Sequence, residues 1–182
     1  MSPLHPLTED AFLGGRLRLR QPAEGYRAAI DPVLLAAAVP AEAGDSVADL
    51  GCGVATASLC LLTRVPALRV TGLELQALLA DLARKNAGLN GCGAQFGVVS
   101  GDVAAPPQDL APGAFDHVML NPPYLEPGSA RASTHELRRI ATVEGAAGLD
   151  AWLGCAVSLL RPRGSLTVIH RADRLDGILG RL

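Results

Sequence analysis

At 182 residues, 49% hydrophobic and 19% charged, the chain is long enough for one domain with a real core and too apolar for disorder. A net charge of −2 provides no global basic field, which argues against a dedicated nucleic-acid binder, and no apolar run reaches bilayer length. The N-terminus lacks a charged-then-apolar leader, and four cysteines without CxxC pairing and four scattered histidines suggest neither a disulfide framework nor a metal site, so a metal-free cytoplasmic protein is expected.

Residues 1–43 read as an N-terminal extension, and residues 44–182 as the main domain. In the extension a short strand or hairpin is predicted over 15–21. There Arg16, Arg18 and Arg20 alternate with Leu17 and Leu19, which puts guanidiniums on one face and leucines on the other. Arg27, Arg131, Arg138 and Arg139 add to the local positive charge. On pattern alone, a solvated edge strand and a phosphate-binding face stand equal. Asp31-Pro32 then opens a helix, with aspartate as N-cap and proline at the first helical position; Pro40 and Gly44 end it.

From Gly44 the chain alternates between periods. Strands are predicted at 46–50, 70–74, 96–100 and 115–120, with helices over 55–63 and 76–90, the second closed by Gly91. A proline-rich loop, 104–113, replaces a full helix, and a polar loop follows at 125–133. Ser133-Thr134-His135-Glu136 has capping-box spacing and predicts a short helix start. Leu149, Trp152, Leu153, Ala156, Val157 and Leu160 recur at helical spacing. Gly164 resets the chain, strand five covers 166–169, and 173–182 begins another helix.

Strands alternating with helices predict an α/β fold: a mostly parallel sheet covered on both faces, with a binding crevice at the carboxyl ends of the strands. Asp49, Glu74, Asp102 and Asn121 all fall at or just past the ends of strands one to four. In Asp49-Leu50-Gly51-Cys52-Gly53, the glycines allow a tight turn and close backbone approach to a ligand. A lone GxG fits any doubly wound protein, dinucleotide-binding ones included. Asp49 would repel a pyrophosphate and favour a cationic amino acid moiety, and position 56 is Thr where the dinucleotide fingerprint has a glycine. Glu74 can accept two ribose hydroxyls. Asp102 reads either as an acceptor for an adenine amino group or as a turn aspartate.

Asn121-Pro122-Pro123-Tyr124 directly follows strand four. The Asn121 side-chain oxygen and the Pro122 carbonyl are two acceptors able to hold both N–H bonds of a planar amino group. That holds its lone pair toward a methyl donor. The prolines stiffen the backbone and Tyr124 offers a stacking face. The alternative is a proline-rich turn with a tyrosine packed on it.

With these motifs and the stretch Tyr26-Arg27-Ala28-Ala29-Ile30-Asp31-Pro32-Val33-Leu34-Leu35, the chain resembles the S-adenosylmethionine-dependent tRNA adenine N6-methyltransferases that act beside the anticodon of a valine tRNA. The resemblance covers nearly the whole chain. It implies a Rossmann-like class I methyltransferase fold with S-adenosylmethionine as cofactor and tRNA as partner. It implies cofactor contacts at Asp49, Gly51, Cys52, Gly53, Glu74, Asp102 and Asn121, with Tyr26 and Asp31 as further candidates, and catalysis at Asn121, Pro122, Pro123 and Tyr124. Protein glutamine N5-methyltransferases and DNA adenine methyltransferases share the tetrapeptide, so it specifies a planar amino nitrogen better than a polymer. A non-catalytic cofactor-binding subunit and a dinucleotide dehydrogenase are the other classes. Such folds usually add two further strands after strand five; here Leu182 follows soon after, and a C-terminally truncated sequence is expected.

Overall fold

The computed structural model describes residues 6–24, 27–123 and 148–182. In chain order they form a hairpin of β1 (Leu7–Phe12) and β2 (Leu17–Pro22), then helix α1 (Asp31–Ala38). There follow β3 (Ser46–Leu50), α2 (Thr56–Arg64), β4 (Arg69–Glu74), α3 (Ala77–Leu89), β5 (Phe96–Ser100) and β6 (Phe115–Leu120). The described chain closes with α4 (Leu149–Leu159), β7 (Leu160–Val168) and α5 (Leu175–Leu179). Strands β3 to β7 make one parallel sheet in the order β5-β4-β3-β6-β7. The chain winds outward from β3 in one direction and from β6 in the other, so the order reverses between these two neighbours. Among the described residues, no helix is long and apolar enough to cross a membrane.

The strand alternation divides the core into two layers. Val47 and Met119 join Leu59 and Leu61 of α2, Ala83 and Ala87 of α3, Leu35 of α1, and Leu17 and Leu19 of β2. Ala48, Leu50, Val118 and Leu120 point the other way, onto Cys155, Ala156 and Leu159 of α4. Burying leucines of this kind contributes roughly 1.5–3 kcal/mol each.

β2 shows the predicted alternation, leucines inward and arginines outward. Its free edge is completed by side chains. Asn86 and Asn90 lie four apart on α3, on one helix face. Their Oδ1 atoms accept the N–H groups of Arg20 and Arg18 at 2.8 and 2.9 Å, and their Nδ2 atoms donate to the same residues' carbonyls at 2.9 and 2.8 Å. Two asparagines thus stand in for a neighbouring strand and pin the hairpin to the domain. Outside, Arg18 and Arg20 pair with Glu9, and Arg27 pairs with Asp10 at 2.8 Å. Arg18 and Arg20 thus form an ion-paired surface strand.

Three expectations need correction. The Asp31 carboxylate caps nothing: Ile30, at φ −81° and ψ −28°, occupies the cap position, and Asp31 already lies inside α1 with Pro32 behind it. A capping side chain needs the extended backbone that Asp31 lacks. Strand five begins at Leu160, six residues before its predicted start. Gly164 marks a bulge instead of a break: Phe115 pairs with Leu160 and His117 with Ser165, while Arg163 turns at φ +68°. Val157 is exposed, and Cys155 and Leu159 are buried on α4 instead. Tyr26, Tyr124, Arg131, Arg138, Arg139, the polar loop and the capping box at Ser133 lie outside the described residues.

Candidate active site

Sheet register puts the predicted site residues at one height. Leu50 pairs with both Leu73 and Leu120, and Glu74 pairs with Ser100. The ladder runs one step further: the Gly51 N–H reaches the Leu73 carbonyl at 2.8 Å, the Gly101 N–H the Glu74 carbonyl at 3.0 Å, and the Ile169 N–H the Leu120 carbonyl at 3.1 Å. Gly51 and Asn121 therefore leave neighbouring strands side by side, where the strand order reverses. That is where open α/β sheets bind ligands.

The β3–α2 turn is built from left-handed residues. Gly51, Gly53 and Ala55 take φ of +67°, +57° and +69°. At Gly51 a side chain is excluded twice over, because a Cβ would also sit 2.6 Å from the Trp152 ring. Ala55 does carry a Cβ in this region, a strain of about 1 kcal/mol. Beneath the turn, Cys52 is buried, and its Sγ lies 2.5 Å from where Gly72 would hold a Cβ. The Cys52 thiol thus faces the core, and burial pushes its pKa well up.

Two carboxylates line the turn. Glu74 accepts the Gly53 N–H on Oε2 and the Gln76 N–H on Oε1, both at 2.8 Å, so its plane is fixed from both sides. Asp49, only 3% exposed, accepts the Ser58 hydroxyl on Oδ2 at 2.6 Å. Burial pushes Asp49 up to about 7; Ser58 opposes this and the Glu74 charge adds to it. Burial also raises Glu74, against the N–H groups of Gln76, Gly53 and Leu75. Neither carboxylate has a cationic partner among the described residues. Two buried acids beside bare backbone, with no cationic partner among the described residues, have the chemistry that suits a cationic, hydroxyl-bearing ligand.

Asp102 lies just beyond β5 and accepts the Ala104 N–H at 2.9 Å, an aspartate turn. Asn121, Pro122 and Pro123 follow β6, with Pro122 buried and its neighbours half-buried. Asp31 opens α1, apart from the turn in sequence. Several residues at this edge went unread in the sequence. Ser58, fully buried on α2, and Leu75, 60% exposed beside Glu74, carry no motif that would single them out. His170 follows β7 with both ring nitrogens buried and without a hydrogen-bond partner among the described residues. Among those residues, no cluster of three or more His, Cys, Asp or Glu could hold a metal ion.

The chain belongs to the methyltransferase small-domain family, whose model matches residues 29–174, and with its curated relatives this makes it an S-adenosylmethionine-dependent methyltransferase. Over 175 residues it is 30% identical to the tRNA1(Val) (adenine(37)-N6)-methyltransferase of Porphyromonas gingivalis, covering 93% of this chain and 68% of that one. The enzyme of the same name from Yersinia enterocolitica is 32% identical over 144 residues, 79% of this chain and 56% of its own length. Among solved structures, an Agrobacterium tumefaciens protein described as a predicted O-methyltransferase aligns with a TM-score of 0.65 at 24% identity, over 83% of this chain and 66% of its own. A Thiobacillus denitrificans S-adenosylmethionine-dependent methyltransferase, solved with S-adenosyl-L-homocysteine, aligns with a TM-score of 0.54 at 21% identity, over 78% and 48%. These two likenesses establish the fold.

Proposed function

We propose that this chain transfers a methyl group from S-adenosylmethionine to N6 of an adenosine in tRNA, in the cytoplasm, as its tRNA1(Val) adenine-37 relatives are named for doing. The observation that carries the reading is the placement of Asn121-Pro122 beside Gly51 at the reversal point of the sheet. The turn and its acids fit the cofactor. Asp49 suits the ammonium end, Glu74 the ribose hydroxyls, and the bare backbone of Gly51 to Gly53 allows close approach. The free oxygen of Asp102 and the exposed face of Leu75 suit adenine. Tyr26 and Asp31 are proposed to close the site from the extension formed by residues 1–43.

S-adenosylmethionine supplies an electrophilic methyl on a sulfonium. The chain's own work is positioning and electrostatics. The adenine amino lone pair is conjugated into the ring and nucleophilically poor. The Asn121 Oδ1 and the Pro122 carbonyl accept its two N–H bonds and stabilise the positive charge that grows on nitrogen as it attacks. Pro122 and Pro123 hold those acceptors in place without a side-chain hinge. Tyr124 is assigned the face on which the base stacks. The methyl's bond to sulfur would break as its bond to nitrogen forms, releasing a neutral thioether, and the alkylated nitrogen, now acidic, would give its proton to water without a strong general base.

The test is transfer of labelled methyl from S-adenosylmethionine into unmodified tRNA and, in parallel, into release factors, with Asn121→Ala as control. Label recovered as N6-methyladenosine is expected. Label in protein would make the chain a glutamine methyltransferase. No label in either polymer, with the cofactor bound, would leave a non-catalytic partner subunit.

A further inference from the structure

Asp49 is faced from α2 by Ser58, from β4 by Glu74 and from the turn by the Cys52 thiol, and none of these is cationic. Ser58 is the third residue of α2 and is fully buried. Its Oγ lies 2.6 Å from Asp49 Oδ2, and its backbone N–H also favours the ionised carboxylate. A buried serine has a single hydroxyl proton to give, and here it goes to an acid that has no ion-pair partner among the described residues. A buried Ser58 that served packing alone would be replaceable by alanine. We propose that Ser58 is a positioning residue of the cofactor site: its hydroxyl aims the Asp49 carboxylate and keeps it anionic for a cationic cofactor. This rests on the reading of Asp49 as the acid that takes the cofactor's ammonium end.

The consequence is a pH-dependent capture step controlled from the helix behind the turn. With Asp49 pushed up to about 7, cofactor affinity rises as pH passes through neutrality, until the ligand's own ammonium begins to lose its proton in alkali, a loss that affects every variant alike. Removing the Ser58 hydroxyl withdraws a donor from the charged form only. The acid then holds its proton to higher pH, and affinity suffers most at neutral pH and least in alkali. A serine that merely packed the helix would lower affinity by the same factor at every pH.

The experiment is calorimetric titration of the full chain with S-adenosylhomocysteine from pH 6 to pH 9, comparing the unaltered protein with Ser58→Ala and Ser58→Thr. Thermal melts would establish that each variant is folded. Ser58→Ala is expected to bind roughly tenfold more weakly at pH 7 and to approach the unaltered protein near pH 9. Ser58→Thr, which keeps the hydroxyl, is expected to restore the original profile. If the added methyl keeps the threonine variant from folding, the carboxyl carbon of Asp49, followed by NMR in the unaltered protein and in Ser58→Ala, is expected to titrate at higher pH in the variant. Coincident profiles, or a displacement constant across pH, overturn the proposal while leaving the cofactor reading intact. Failure of the unaltered chain to bind at any pH overturns both.

Discussion

At the amino edge of the sheet, Asp116 accepts the Ser46 N–H at 2.7 Å and the Ser46 hydroxyl at 2.6 Å, with the Arg161 guanidinium against its other oxygen. Next to it, His117 bridges Ser165 at 2.7 Å and Asp45 at 3.0 Å, tying β6 to β7 and to the residue before β3. Asp116 is held below the usual carboxylate range by its Ser46 bonds, and Asp45 by the Glu42 N–H and then by His117. At the carboxyl edge, Asp49 and Glu74 are buried with hydroxyl and amide donors but, among the described residues, no cation, and both are raised. Among the described residues, the same residue types are neutralised by their neighbours at one end and lack a positive charge at the other. An edge whose acids are satisfied holds strands together; an edge whose acids are not satisfied waits for a ligand.

The largest effect expected at the open edge is on chemistry. Asn121→Ala should lower the methyl-transfer rate by about 10²–10³-fold, the scale of losing one transition-state acceptor, with cofactor affinity nearly unchanged. Parallel loss of both in a binding and turnover assay would make Asn121 structural.

Asp49→Asn separates binding from stability. Between the unfolded aspartate range and about pH 7, the folded chain keeps a proton that the unfolded chain has lost, so stability falls as pH rises through that window and is flat above it. The variant removes that slope. Urea unfolding at pH 5 and pH 8 should show the unaltered protein losing on the order of a few kcal/mol more than Asp49→Asn across that interval. Cofactor affinity at pH 8 should meanwhile drop in the variant. Equal slopes would show that Asp49 is not protonated in the folded chain.

The closed edge provides the opposite control. Asp116→Ala should cost about 1–3 kcal/mol of stability by orphaning the Ser46 donors and Arg161, with cofactor affinity unaltered. A change in affinity would dissolve the distinction between the edges. Smallest of all, Ala55→Gly relieves a left-handed alanine but removes a buried methyl. The two terms nearly cancel, so stability should move by less than about 1 kcal/mol on chemical denaturation. A loss of several kcal/mol would mean that the methyl packs the turn.

Much of the frame was legible along the chain. Strands at Ser46–Leu50, Phe96–Ser100 and Phe115–Leu120 coincide with their predicted bounds, because short apolar runs are closed there by glycine, aspartate or proline. The leucine–arginine alternation of β2 and the glycine after α3, Gly91 at φ +70°, were equally readable. The bulge in β7 was not. Gly164 has the look of a turn, and only the Asp116 carbonyl, 2.8 Å from where its Cβ would be, shows that it marks close approach to β6.

The sequence by itself determined the order of strands and helices, the turn at Gly51 to Gly53, and the convergence of Asp49, Glu74, Asp102 and Asn121 on one edge. These depend on periodicity and backbone preference, which act over a few residues. Only the tertiary structure decided which acids are compensated, that Ser58 serves Asp49, and that Asn86 and Asn90 take the place of a strand beside β2, 66 and 72 residues away in the chain. Such pairings depend on packing: a side chain's charge and bonding are set by whatever the fold brings against it, and that neighbour is seldom close in sequence.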